Sequence, residues 1–179
     1  MINMTLETDN KKPSITVDIS LQEPAWENLA NIEKIVYETA IKALELAILP
    51  KVAVGRDLEA SLVLANDDLL NLLNNTYREQ DKPTNILTFA SLDSEEPVIQ
   101  GVLTLGDVFL SYETLIKEAQ EQGRFITDHV RHLVVHGILH LLGYDHIDDD
   151  DATDMETLEI RILETLGVQN PYTLAEYQL

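Results

Sequence analysis

The chain has 179 residues, 45% hydrophobic and 25% charged, which is enough for one filled core and short for two domains. Twelve Lys and Arg against 32 Asp and Glu give a formal charge of −20, which argues against a general nucleic-acid binder, since duplex affinity comes from cationic side chains that release counterions. With no cysteine, disulfides and thiolate metal ligands are excluded, and no apolar run approaches the roughly 20 residues that cross a bilayer. A soluble, cytoplasmic protein without a membrane partner is expected. The acidity leaves room for a localised cationic site or a protein partner.

Residues 1–13 are polar and read as a flexible tail, followed by a single domain over 14–179. Ile15, Val17 and Ile19 alternate with polar residues, the period of a half-buried strand. Pro24 suits the first turn of a helix. From it Trp26, Leu29, Ile32, Val36, Ala40, Ala43, Leu44 and Ala47 recur at three- and four-residue steps, predicting one long amphipathic helix that ends before Pro50. The continuous apolar run 60–65 predicts an interior strand. Asn66 is placed to cap the next helix, with Asp67 and Asp68 in its first turn and Leu69, Leu72 and Leu73 as its apolar face.

Pro83 punctuates a loop before a third strand, Ile86 to Ala90, and 91–101 is a polar connection. Residues 102–110 read as a fourth strand, weakened or bulged at Gly106. Ser111 can cap a helix ending near Gly123, and Thr127 a further helix over 128–142. Asp148 to Asp151 precede a last helix that carries Leu158, Ile162, Leu163 and Leu166 and closes at Gly167. The order predicts an α/β (α+β) fold: a single small mixed four-stranded sheet covered by about five helices. Helical crossovers would give parallel neighbours, and the short 91–101 link an antiparallel pair.

Three of the five histidines fall within 136-HGILHLLGYDH-146. Residues four apart share a helix face, so His136 and His140 can hold one ion together. Gly143 can end the helix in the left-handed conformation and return the chain with His146 as a third ligand. Three imidazoles are the protein ligand set of a catalytic rather than a structural zinc. The spacing H-x-x-x-H-x-x-G-x-x-H makes this a metzincin-like metal helix, with one departure. Gly137 stands where those peptidases carry their catalytic glutamate.

The upstream pair, His129 and His132, has no turn to deliver a third ligand. His132 and His140 lie about 12 Å apart along the axis, too far to share an ion. Both upstream rings are therefore expected to support, pack or face solvent. Asp145 can orient a ligand or simply hold the turn. The acidic run has a sufficient explanation in the helix that follows it. Arg78, with Lys82 four residues on, is either a solvated side chain near a helix end or, if placed to meet a phosphate, its natural bidentate partner in an otherwise acidic protein.

The motif 136-HGILHLLGYDH-146 resembles the signature of the YbeY family, bacterial rRNA maturation factors described as metal-dependent endoribonucleases. Residues 77-YREQDKPTNILTF-89 and 105-LGDVFLS-111 are similar to two further family segments, and the likeness covers most of 55–167. Ile86, Thr88 and Ala90 depart from the commoner residues without touching a ligand. The resemblance implies zinc, one ion per chain with another divalent metal conceivable, on His136, His140 and His146, and a functional arginine at Arg78. It further implies cleavage of single-stranded RNA in 16S rRNA 3′-end maturation and ribosome quality control. The implied partners are an rRNA precursor, the small ribosomal subunit and assembly proteins; no DNA substrate is expected.

The chemistry so predicted is metal-assisted phosphodiester hydrolysis, with Arg78 neutralising charge on the phosphate. Either water or the 2′-hydroxyl could attack. Gly137 either leaves room for a bulky substrate or lets the helix pack closely on the sheet. Two rival readings are a metallopeptidase and a non-catalytic assembly factor whose zinc clips the C-terminal helices. The first has the spacing without the general base.

Overall fold

A computed structural model of the chain describes residues 13–93, 101–146 and 148–173. Apart from Pro13, the expected tail lies outside the described residues. The sheet has the order β1-β2-β4-β3, formed by β1 (Ile15–Leu21), β2 (Leu58–Ala65), β3 (Ile86–Ala90) and β4 (Leu103–Ser111). β1 and β4 both run parallel to β2, while β3 pairs antiparallel with β4. Among the described residues the five α-helices are α1 (Ile32–Leu46), α2 (Asp67–Arg78), α3 (Tyr112–Glu121), α4 (Ile126–Leu141) and α5 (Asp149–Thr165).

The mixed four-stranded sheet and the antiparallel β3–β4 pair are as predicted; one crossover is not. β2 and β3 are not neighbours, because β4 lies between them and β3 sits at the edge. The apolar β2 is buried over its last four residues and needs a strand on each side, so the later β4 takes the place beside it. The predicted irregularity in β4 is present. The register slips between Glu59 and Ala60, and Gly106 has φ +130°, where a Cβ would lie 2.1 Å from the Phe89 carbonyl oxygen.

The long helix predicted from Pro24 is two pieces. Residues 24–28 form a 3-10 turn, and α1 begins after Asn31, whose backbone is left-handed at φ +59°. Buried Trp26 donates its indole N–H to the Ala65 carbonyl at 2.8 Å, at the end of β2. That tertiary bond outweighs the helical period, and asparagine tolerates the turn it requires. Two further helix details differ. In α2 the anchors are Leu70 and Asn74, while Leu72 is exposed. α4 starts two residues early, after Phe125 rather than Thr127.

α1, α3, α4 and α5 share one core with the sheet, in which Leu62, Leu64, Leu105 and Leu110 meet Val134, Ile138 and Ile162. α2 covers part of the opposite face through Leu70, Val63 and Leu87. α4 is therefore buried along most of its length and lies against β3 and β4. Gly137 is the point of closest approach: a Cβ there would stand 2.7 Å from Val108 Cγ1 and 3.0 Å from Ile86 Cδ1. Of the two roles the sequence allowed it, close packing is the one realised.

Candidate metal centre and its cleft

The end of α4 builds the site. Gly143 N–H bonds the His140 carbonyl at 3.0 Å and Tyr144 N–H the Leu139 carbonyl at 3.1 Å, the paired bonds of a Schellman cap, with Gly143 at φ +89°. The chain reverses there and returns His146 to the helix. Asp145 holds the turn by accepting the His146 N–H at 2.7 Å.

His136, His140 and His146 then converge, with one ligand nitrogen from each lying within 4.8 Å of the others. No fourth histidine or carboxylate joins this group among the described residues. His136 and His140 face each other through Nε2 at 3.0 Å. Each has its other nitrogen engaged by an acceptor. His136 Nδ1 donates to Glu159 Oε1 at 2.7 Å, and His140 Nδ1 donates to the Tyr144 carbonyl at 2.9 Å. Neutral rings fixed in that way present two Nε2 lone pairs to each other, an arrangement that repels itself unless a cation takes them up. Burial, reinforced by the neighbouring His136 and His146, pushes the pKa of His140 down to about 4, so this ring is an unprotonated donor at neutral pH. The donor set fits a divalent ion of borderline softness.

Glu159 is the residue the sequence reading missed. It is fully buried on α5, and besides His136 it receives the Tyr172 hydroxyl and faces His132 Nε2 at 3.5 Å. Burial raises its pKa, but hydrogen bonds from His132, His136 and Tyr172 outweigh burial and hold it down to about 2. A buried anion behind one ligand orients that ring and raises its basicity. A signal did exist: a glutamate among Met155, Leu158, Ile162 and Leu163 sits on the apolar stripe of α5, where an unpaired charge would be costly. The acidic run beside it is used as expected, with Asp148 capping α5 through the Asp151 N–H at 2.9 Å.

The trio lies in a cleft of about 450 Å³ between α4 and the edge strand β3. Arg78 lines it too, together with Thr84, Asn85 and Thr88. Arg78 is the last residue of α2, and Asn74, 2% exposed, holds the following loop by donating to the Lys82 carbonyl at 2.8 Å. Lys34, Lys42, Lys117 and Arg131 are each paired with a carboxylate on their own helix. Arg78 and Lys82 have no ion pair among the described residues, which leaves their charge available to an anion. The upstream histidines stand apart from the trio. His132 faces Glu159, and His129, 3% exposed, bonds Glu118 at 2.9 Å.

Three converging imidazoles on a helix-turn, set in a cleft against a sheet edge, give a small α/β fold with a histidine group that could hold a metal ion. The profile of the family described as Endoribonuclease YbeY matches residues 25–167. The chain is 46% identical over 162 residues to an endoribonuclease YbeY of Paramagnetospirillum magneticum, covering 89% of this chain and 96% of that one. It is also 46% identical over 155 residues to one of Rhodospirillum rubrum, covering 84% and 78%. The solution structure of TM1509 from Thermotoga maritima shares the fold, with a TM-score of 0.52 at 24% identity over 83% of this chain and 87% of that one. The chain belongs to the YbeY endoribonuclease family.

Proposed function

We propose that the chain is an endoribonuclease that cuts single-stranded RNA by metal-dependent phosphodiester hydrolysis, in the maturation of the 16S rRNA 3′ end and the quality control of ribosomes. The observation that carries this reading is the convergence of His136, His140 and His146 in a cleft that Arg78 also lines. Those three histidines would hold the ion, which we take to be zinc from the all-imidazole donor set. When bound, such an ion supplies Lewis-acid polarisation of a phosphoryl oxygen and activation of water. The chain's own part is to orient and to neutralise. Glu159 and the Tyr144 carbonyl fix the rings of His136 and His140. Arg78, without an ion pair among the described residues, meets the phosphate with a planar fork of donors and offsets the charge that grows there.

The net charge of −20 repels RNA at long range. Proteins of the small subunit and assembly factors would deliver the substrate, in the cytoplasm. No helix among the described residues is long and apolar enough to cross a membrane. The peptidase reading is disfavoured sterically as well as chemically. A glutamate at 137 would have to occupy the space of Val108 and Ile86.

The test is metal content measured beside cleavage of a single-stranded RNA, for the native chain, His140→Ala and Arg78→Ala. His140→Ala should lose both metal and cutting while staying folded. Arg78→Ala should keep its metal and lose cutting. Undiminished cutting by His140→Ala would overturn the reading. Joint loss of folding and ribosome association in His140→Ala would favour a non-catalytic assembly factor.

A further inference from the structure

A second chain of hydrogen bonds, separate from those behind the histidine trio, reaches the cleft. Asn85, at the head of β3, lines the cleft, and its Nδ2 donates to Glu118 Oε2 on α3 at 2.9 Å. The same carboxylate oxygen receives Nε2–H of His129 on α4, also at 2.9 Å. A carboxylate only accepts, so the amide nitrogen of Asn85 must face it, and the side-chain carbonyl oxygen must face elsewhere. The backbone is held as well, since the Asn85 carbonyl accepts the Ser111 N–H at 2.9 Å. The recorded donor to Asn85 Oδ1 is the Thr84 hydroxyl at 3.5 Å, the outer limit of a hydrogen bond. Asn85 thus offers one oriented acceptor with capacity to spare. Asp145, another acceptor in the cleft, already has Oδ1 engaged by its own turn.

We infer that Asn85 is the specificity residue by which the cleft distinguishes RNA from DNA, its Oδ1 accepting a hydrogen bond from a ribose 2′-hydroxyl. Glu118 and His129 are positioning residues that impose the orientation of the amide. The inference rests on the RNA-cutting reading above. The 2′-hydroxyl is the donor that a ribose has and a deoxyribose lacks. Arg78 and Asn85 line the same cleft, so a strand whose phosphate meets Arg78 would bring its sugars into the space that Asn85 borders. This assigns a role to a buried histidine and a carboxylate that the metal centre does not use.

The experiment is equilibrium binding of a labelled single-stranded RNA with phosphorothioate linkages that resist cutting, and of the DNA strand of the same base order and linkage, to the metal-loaded full chain. The native chain should bind RNA more tightly than DNA. Asn85→Ala should narrow that ratio by about 3- to 10-fold, the worth of one hydrogen bond, through weaker RNA binding with DNA binding unchanged. Glu118→Gln should narrow it less, because a glutamine there can donate or accept and no longer dictates which way the amide of Asn85 points. Equal weakening of both strands, an unchanged ratio, or an altered base preference at constant ratio would each overturn the inference, since a purely structural role or a contact to a base would produce those results. Should Asn85→Ala fail to fold, Glu118→Gln decides. If the native chain neither binds nor cuts single-stranded RNA, it is the RNA-cutting reading that fails, and the inference with it; a chain that cuts RNA while binding RNA and DNA alike overturns the inference alone.

Discussion

Along α4 the histidines His132, His136 and His140 recur at a four-residue step and do different things. His132 and His136 are four apart, as are His136 and His140, yet only the second pair joins a ligand cluster. The difference lies in which ring nitrogen is already spent. His136 and His140 each commit Nδ1 to an acceptor and aim Nε2 at the other. His129 and His132 turn Nε2 to Glu118 and Glu159, each leaving a buried Nδ1 with no partner among the described residues. Spacing brings rings onto one face; the acceptor behind each ring decides whether it points its lone pair at an ion.

The strongest test of this contrast pairs His140→Ala with His132→Ala. Metal content should fall from about one ion per chain to near none in the first and stay close to native in the second. Equal loss in both would erase the distinction. Glu159→Gln comes next. Removing the buried charge behind His136 should weaken metal affinity by about 10- to 100-fold, read by competition with a coloured chelator, while the ligands themselves remain. Native affinity in that variant would mean that the carboxylate only packs.

Gly137→Ala addresses the scaffold that presents both pairs. Its Cβ would press on Val108 at 2.7 Å, so urea unfolding should show a loss of about 1–3 kcal/mol, with the metal stoichiometry kept. The smallest effect concerns His129. Burial depresses its pKa below the ordinary 6.5, although the bond to Glu118 pulls the other way. As pH falls below about 6.5 the unfolded chain therefore takes up this proton first, and native stability declines until the folded ring also titrates. Above that range His129 is neutral in both states and contributes nothing to the pH dependence. His129→Gln should remove this share of the decline. A native-minus-variant difference in Tm that stays flat between about pH 7.5 and 5 would contradict it.

Much of the site was legible because its signals are local. The i, i+4 histidines, the helix-ending Gly143 and the returning His146 lie within eleven residues, and helical geometry alone brings them close to one another. The strands, the Asn66 cap and the β4 irregularity were legible for the same reason. The break at Asn31 was not, because the bond that enforces it joins Trp26 to a carbonyl 39 positions away. Leu72 misled because the apolar face of α2 is narrow: Leu70 packs with Val63 and Leu87 of the sheet, and Asn74 is buried against the following loop.

The sequence by itself determined the mixed α/β architecture, the three candidate ligands and the placement of an arginine ahead of β3. Those follow from periods of two and 3.6 residues and from turn chemistry, which act over a few positions. Tertiary structure decided the strand order, the choice of nitrogen on each imidazole, and the grouping of Arg78 and Asn85 in the cleft with the histidine trio. Each of these depends on a partner brought close only by packing: Glu159 stands 23 positions from His136, and Glu118 33 positions from Asn85. A hydrogen bond selects its partner by distance in space, and distance along the chain carries no record of it.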